Sequence, residues 1–454
     1  MSTAKAPRAG DWLTTLAASF GFAVVQLDVT IVNVALPALA RGFGVGVASL
    51  QWVVDAYALA FAVLLLTAGV LGDRFGARRA YVGGFGLFAL ASLACGLAPG
   101  PAALIAARAA QGVGAALLVP SSLTLLNNAH GADPAGRARA VGVWTAAGGV
   151  SIALGPVLGG LLVASLGWRS IFLVNLPVCV AGALLTLRAA PRDTRPAKPR
   201  PLDPLGQALA ALALTGLIGA VIEARPRGLT DAWVLAGLAL FLTAGGGFIA
   251  AERRAASPAL PLGFFRKAGF SAAIAFGVIV NLAYYGMIFV LALYLQDAHR
   301  WTPLQAGLAF LPLTATFIAS NLVSGPAVAR FGSRGPMAIG AAIAAVGYFL
   351  LLPLSATSPF LVMLPGFLLI PSGMGLGVPA MTTAILASVE REWSGTASAV
   401  LNAARQAGGA IGVAAFGVMS GALGAAGGLH AAAATAVALL VLAAVISVAW
   451  VRGA

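Results

Sequence analysis

The feature that most constrains this chain is a succession of apolar stretches, each long enough to cross the roughly 30 Å hydrocarbon core of a bilayer as a helix of about 20 residues. Apolar windows bounded by turn signals fall at roughly 12–37, 49–71, 80–98, 102–126, 139–164 and 169–188. Eight more fall at roughly 204–223, 231–251, 269–295, 304–329, 335–354, 358–386, 393–420 and 428–451. With 60% hydrophobic and 9% charged residues in 454, the chain is far more apolar than the surface of a soluble globule allows. The expected fold is an all-α polytopic membrane protein of about 14 transmembrane helices, with little chain left for a soluble domain.

The formal net charge of +14 does not point to nucleic acid, because the basic residues sit between apolar stretches and form no stripe interleaved with aromatics. Topology accounts for them. If the start is cytoplasmic, the turns holding Arg74, Arg78, Arg79, Arg137, Arg139, Arg192, Arg195, Lys198, Arg200, Arg253, Arg254, Arg266, Lys267, Arg330 and Arg334 are cytoplasmic too. The opposite side keeps chiefly Arg41, Arg225, Arg227 and Arg300. This asymmetry puts both termini in the cytoplasm of a multi-pass protein of the cytoplasmic membrane. Met1 to Gly10 has no small-residue cleavage pattern and reads as a cytoplasmic tail. Cys95 and Cys179 lie in different apolar windows and read as packing residues, not as a disulfide or metal site.

An internal repeat is present: Gly69-Val-Leu-Gly-Asp-Arg-Phe-Gly-Ala-Arg78 aligns without gaps on Gly325-Pro-Ala-Val-Ala-Arg-Phe-Gly-Ser-Arg334. Each copy follows the second helix of a six-helix set. The chain therefore divides into a six-helix bundle at 1–190, a linker with an inserted helix pair at 191–265, and a second six-helix bundle at 266–454. Paired bundles of this kind commonly form alternating-access transporters with a site between the halves. Ala329 stands where the first copy has Asp73, so the halves are unequal.

Charges within the windows are costly, about 2.5 to over 10 kcal/mol each, and need a partner or a water-filled cavity. Asp28, Asp55 and Arg108 reach similar depths on the first, second and fourth helices. Carboxylates there can exchange a proton when substrate arrives or leaves; alternatively, Asp28 and Arg108 form a static pair that only holds two helices together. Glu223 lies at a helix end, where a snorkelling surface carboxylate is expected, and is kept as a reserve acid. Arg405 near a helix centre, with Asn402 and Gln406, makes a polar face that either lines a cavity or bonds neighbouring helices. Gly142, Gly155, Pro156, Gly159 and Gly160 on the fifth helix suit either a gate or tight packing. Pro371, Gly373, Gly375, Gly377 and Pro379 give a later helix the same character. Between the second and third helices, Gly72 and Gly76 permit a tight loop, and Asp73, Arg74, Arg78 and Arg79 can bridge helix ends there.

These residues resemble the major facilitator superfamily in its fourteen-helix drug:proton antiporter branch. Leu27-Asp-Val-Thr-Ile-Val-Asn-Val-Ala-Leu-Pro37 is similar to that branch's first-helix signature, which implies that Asp28 and Asn33 face the transport cavity. Gly69 to Arg79 resembles the superfamily's motif between helices 2 and 3, with Ala77 in a place usually basic. Arg108-Ala-Ala-Gln-Gly-Val-Gly114 is similar to the helix 4 motif whose Arg is implicated in proton transfer; Gln111 is part of it. Gly155-Pro156 with Gly159-Gly160 looks like the antiporter motif of helix 5, with Ser151 at a position expected to be Gly. The resemblance implies a major facilitator fold and proton-driven export of a lipophilic drug or secondary metabolite by a chain functional as a monomer among membrane lipids.

A nucleotide-driven pump would need a Gly-rich loop ending in Lys-Ser or Lys-Thr, and none occurs. An enzyme would need a nucleophile or metal constellation, yet His130, His299 and His430 all fall in expected loops, so neither metal nor cofactor is expected, and the driving force that the resemblance implies is a proton gradient. A proton-coupled importer of a metabolite and a non-transporting sensor are the alternatives; the helix 5 motif favours export, and a sensor has no evident use for the buried charges. The topology is checked by reporters fused after Ala454: green fluorescent protein is expected to fluoresce and an exported phosphatase to stay silent, the reverse pattern placing the end outside.

Overall fold

A computed structural model describes residues 9–130, 134–191, 203–255, 258, 262–389 and 394–451. All regular structure among them is helical. In chain order the helices are α1 Ala9–Phe43, α2 Val47–Phe75, α3 Ala77–Gly96, α4 Pro101–Ala129, α5 Pro134–Leu166, the short α6 Ser170–Leu173 and α7 Asn175–Ala189. They continue as α8 Pro204–Arg227, α9 Ala232–Arg254, α10 Ala268–Leu293, α11 Pro303–Ala309, α12 Leu311–Phe331, α13 Arg334–Phe349, α14 Phe360–Ala387 and α15 Ser394–Trp450. Among the described residues, 12 helical stretches are long and apolar enough to cross a membrane; α6 with α7, and α11 with α12, each count as one.

One of the expected windows appears in altered form. The window near 335–354 is the 16-residue α13, shorter than the other spans. The windows near 393–420 and 428–451 are, as expected, two helices, the arms of α15, which meet at Gly424, where φ is 73° and the backbone is not helical. Counted as two arms, α15 brings the helical segments to the expected number. His430 accordingly lies on a helix and not in a loop, and its Nε2 sits 2.6 Å from the Leu354 carbonyl oxygen.

The expected loop after the second helix shrinks to one residue. Gly72 to Phe75 complete α2, Ala77 opens α3, and Gly76 alone turns the chain, with φ at 98°. The second copy of the repeat turns at the matching Gly332, with φ at 67°. Both conformations belong to the region that L side chains avoid, so a glycine is required at each turn and the repeat is structural. Arg137 and Arg139 lie in the first turns of α5, not in a loop, and their side chains are outside the described residues. So are the Asp73 side chain, the tail 1–8 and the linker segment 192–202 with its basic residues.

Helices α1 to α7 pack together as one bundle, α1 lying on α4, α5 and α7. Helices α10 to α15 form a second, with α10 against α15 and α13 against α14. The inserted α8 and α9 pack on each other, and α8 touches both α2 and α15. Close backbone approach sets the α10–α15 interface: a Cβ on Gly412 would lie 2.1 Å from the Leu282 carbonyl oxygen, and one on Gly286 would lie 2.6 Å from that of Gly412. Such approaches are how helices associate where lipid removes the hydrophobic driving force between them. Gly412→Val is therefore expected to lower the melting temperature in detergent, by an overpacking cost of about 1–3 kcal/mol. Gly83→Ala, where an added Cβ meets nothing within 4 Å, is expected to leave it unchanged or raised.

Candidate functional site

The fourth helix carries the site because its glycines bring it close to its neighbours. A Cβ on Gly112 would lie 2.4 Å from the Tyr57 carbonyl oxygen of α2, and one on Gly114 2.8 Å from the Phe88 nitrogen of α3. One turn before Gly112, this proximity lets the Arg108 Nε donate to the Val53 carbonyl at 3.0 Å. Gln111, three residues on, shares the Arg108 face of α4.

Asp28 of α1 points into this cluster. Its Oδ2 accepts from Arg108 Nη1 at 2.5 Å, and its Oδ1 accepts from Gln111 Nε2 at 2.7 Å and Asn175 Nδ2 at 2.9 Å. Arg108 Nη1 also reaches Gln111 Oε1 at 2.7 Å, and Gln111 Nε2 reaches Ser92 Oγ at 2.9 Å. The guanidinium lies 4.3 Å over the Tyr57 ring. Asp28 is 0% exposed and Arg108 1%, so the ion pair is sealed inside the first bundle. Breaking such a pair by removing one partner costs about 3–5 kcal/mol, because the other charge is left buried and alone.

The residues expected to act together do not all meet. Asp28, Arg108 and Gln111 meet, joined by Asn175 and Ser92, which sequence reasoning passed over. Asn175 is a polar residue inside an otherwise apolar window and could have been noticed. Ser92 gives no signal, since a membrane-helix hydroxyl ordinarily bonds its own backbone four residues back, as Ser372 and Thr382 do here. Asn33, five residues beyond Asp28 on α1, lies instead at the seam between the bundles. It lines a void of about 10 Å³ with Thr30, Pro156, Tyr284 and Phe310, and its Nδ2 donates to the Val29 carbonyl at 2.9 Å.

Asp55 of α2 is 0% exposed, and neither of its oxygens has a hydrogen-bond partner. One turn earlier on the same face, Gln51 Nε2 donates across the seam to the Ala414 carbonyl at 2.6 Å. A buried carboxylate without a partner needs a proton or an incoming cation. Arg405 and Asn402 are half-buried on α15 of the second bundle. The Arg405 Nε has no partner, and its stem packs by Gly277 of α10. Glu223 is 30% exposed and accepts from Arg227 Nε at 2.9 Å, a surface pair within one helix turn.

The glycine motifs act as contact surfaces. A Cβ on Gly155 would meet Thr30 Oγ1 and one on Gly159 would meet Ile31, so α5 lies directly on α1. Across the seam, a Cβ on Gly160 would lie 2.5 Å from the Pro303 carbonyl oxygen, and one on Gly307 2.2 Å from that of Pro156. At the opposite end of the bundle Arg78 donates to the Leu187 carbonyl, tying the α2–α3 turn to α7. A Cβ on Gly72 would touch Ser121 Oγ at 3.4 Å, while Gly69 is open and Arg74 is exposed.

This architecture is that of known transporters. The chain superposes on an inward-open form of the xylose transporter XylE from E. coli with a TM-score of 0.67, covering 98% of this chain and 97% of that one at 16% identity. It is 39% identical over 403 residues to the methylenomycin A resistance protein of Streptomyces coelicolor, spanning 88% of this chain and 83% of that protein. It is 35% identical over 413 residues to the tetracenomycin C resistance and export protein of Streptomyces glaucescens, spanning 91% and 76%. The Major Facilitator Superfamily pattern matches residues 18–413. A multi-pass transporter and not an enzyme, this chain belongs to the Major Facilitator Superfamily.

Proposed function

We propose that this protein exports a lipophilic small molecule, an antibiotic or similar metabolite, across the cytoplasmic membrane in exchange for protons, by alternating access and as a monomer. The relatives named for antibiotic resistance and export support the direction and the substrate class. The observation that carries the coupling is the sealed Asp28–Arg108 pair, with the partnerless Asp55 on the adjacent helix.

The seam between the bundles supports the cycle. Four cross-bundle contacts, Gln51 to Ala414, Gln296 to the Val34 carbonyl, Gly160 to Pro303 and Gly307 to Pro156, lie in the helix halves remote from the basic turns at Gly76 and Gly332. A form closed at that end takes up substrate from the basic, cytoplasmic side. In it Asp28 is ionised and held by Arg108. When the bundles open outward, a proton from outside takes the place of Arg108 on Asp28, and substrate leaves. Return to the first form ejects that proton inward and restores the pair. Asp55, beside the Gln51 clamp, receives either a second proton or the positive charge of a substrate. Arg405 and Asn402, on α15 of the second bundle, serve as polar contacts for the cargo.

In proteoliposomes with an imposed pH gradient, lipophilic cations and antibiotics are expected to trigger proton movement with the wild-type protein, and Asp28→Asn to reduce it more than tenfold. Asp28→Asn should also melt lower, since Arg108 is left uncompensated. Asp28→Asn combined with Arg108→Gln should regain most of that stability without regaining transport. Unchanged coupling in Asp28→Asn, or recovered transport in the double variant, would reduce the pair to a structural tie.

Asp55→Asn separates two roles for the second acid. Loss of transport of cationic compounds alone assigns Asp55 to cargo, and loss for every compound assigns it to protons. Full transport of all of them removes it from the site.

A further inference from the structure

The inserted pair is packed at one end and hollow at the other. Toward the end of α8, Ile218 and Ile222 pack with Trp52 and Leu59 of α2 and with Ala410 and Ala414 of α15. Toward its start the three helices part around a cavity of about 200 Å³. Leu214 of α8, Ala62 of α2, Ala404 of α15, Ile274 of α10, Phe248 of α9 and Phe265 are among its walls, and among the described residues that line it only Gln207 is polar. Apolar cavities of about 150 Å³ stay dry and accept hydrocarbon such as benzene. At 1.5 Å per residue, the lining of α8 lies about 4–15 Å from that helix's start, and Ala62 about 20 Å from the end of α2. The hollow therefore runs through one leaflet of a hydrocarbon core about 30 Å thick.

Both signs of charge lie next to its lining residues. Gln207 Oε1 and, at the N-cap of α8 one turn earlier, Asp203 Oδ2 are buried and unpartnered, with the buried Glu252 beside Asp203. Arg266, exposed, directly follows the lining residue Phe265. Acceptors and a guanidinium adjoining one apolar cavity suit a headgroup that bears an ammonium and a phosphate.

We propose that this cavity seats one acyl chain of a zwitterionic phospholipid from the leaflet on the basic side, its ammonium on Asp203 and Gln207 and its phosphate on Arg266. Such a chain touches α2 of one bundle and α15 of the other, and so gives the inserted pair a role in holding the seam. The inference needs only the membrane location of the chain and is independent of the export reading.

Native mass spectrometry of the delipidated protein with added phosphatidylethanolamine provides the test. The wild type is expected to retain about one lipid per chain, undiminished by excess tetraphenylphosphonium, a lipophilic cation. Ala210→Phe, which fills the cavity, should cut retention at least tenfold. Leu242→Phe, on the lipid-facing side of α9, should not. If Ala210→Phe does not elute as a single species, Leu214→Trp decides by the same readout. No retained lipid in the wild type, equal retention in a well-folded filled variant, or displacement by the cation would each overturn the proposal, the last by making the cavity a substrate site.

Discussion

A charge pair in an apolar bundle dictates much of what surrounds it. The Asp28–Arg108 contact stands only because each group is also held by neutral dipoles: Gln111 and Asn175 on the carboxylate, the Val53 carbonyl and the Tyr57 ring on the guanidinium. Satisfying the pair in this way draws on four helices at once, and α4 comes close to α2 and α3 because Gly112 and Gly114 allow backbone contact. The same arrangement makes the pair sensitive to a proton. Neutralising Asp28 leaves a guanidinium whose remaining partners are dipoles, which are poor compensation for a full charge in low dielectric.

Most of the architecture was legible in the sequence because a bilayer imposes few rules. Apolar length and basic turns located nearly every helix, and the repeat at Gly69 and Gly325 paired the two bundles before their matching turns at Gly76 and Gly332 were seen. What escaped was where the turns end. A polar residue near a glycine-rich junction reads as loop, so His430 was placed in one although the helix after Gly424 already carries it. The α2–α3 loop was overestimated for the same reason: charged residues such as Arg74 and Arg78 look like loop, yet they occupy the helix ends.

The candidate site was legible in proportion to energetic cost. Asp28, Asp55, Arg108 and Arg405 declare themselves because an ionisable group inside a span demands an explanation. Their grouping did not, since depth along each helix does not say which faces meet. Asn33 follows Asp28 by five residues and yet faces the seam and not the ion pair, because five residues advance a helix by about 500° and so turn the side chain well away from its predecessor. Depth and facing are separate quantities, and only depth is written plainly in a sequence.

The seam itself shows why small residues and buried charges occur together in this chain. Gly155, Gly159 and Gly160 let α5 touch α1 on one side and the start of α11 on the other with backbone against backbone. Such contacts hold by close fit and carry no strong directional bonds, so they can separate and reform without leaving a polar group stranded. A charged residue at the same place would have to be desolvated with every closure. In the proposed export cycle, keeping the ion pair inside one bundle, and the separable surface almost free of charge, would let proton occupancy change the internal order of that bundle while the faces that part stay inexpensive to open.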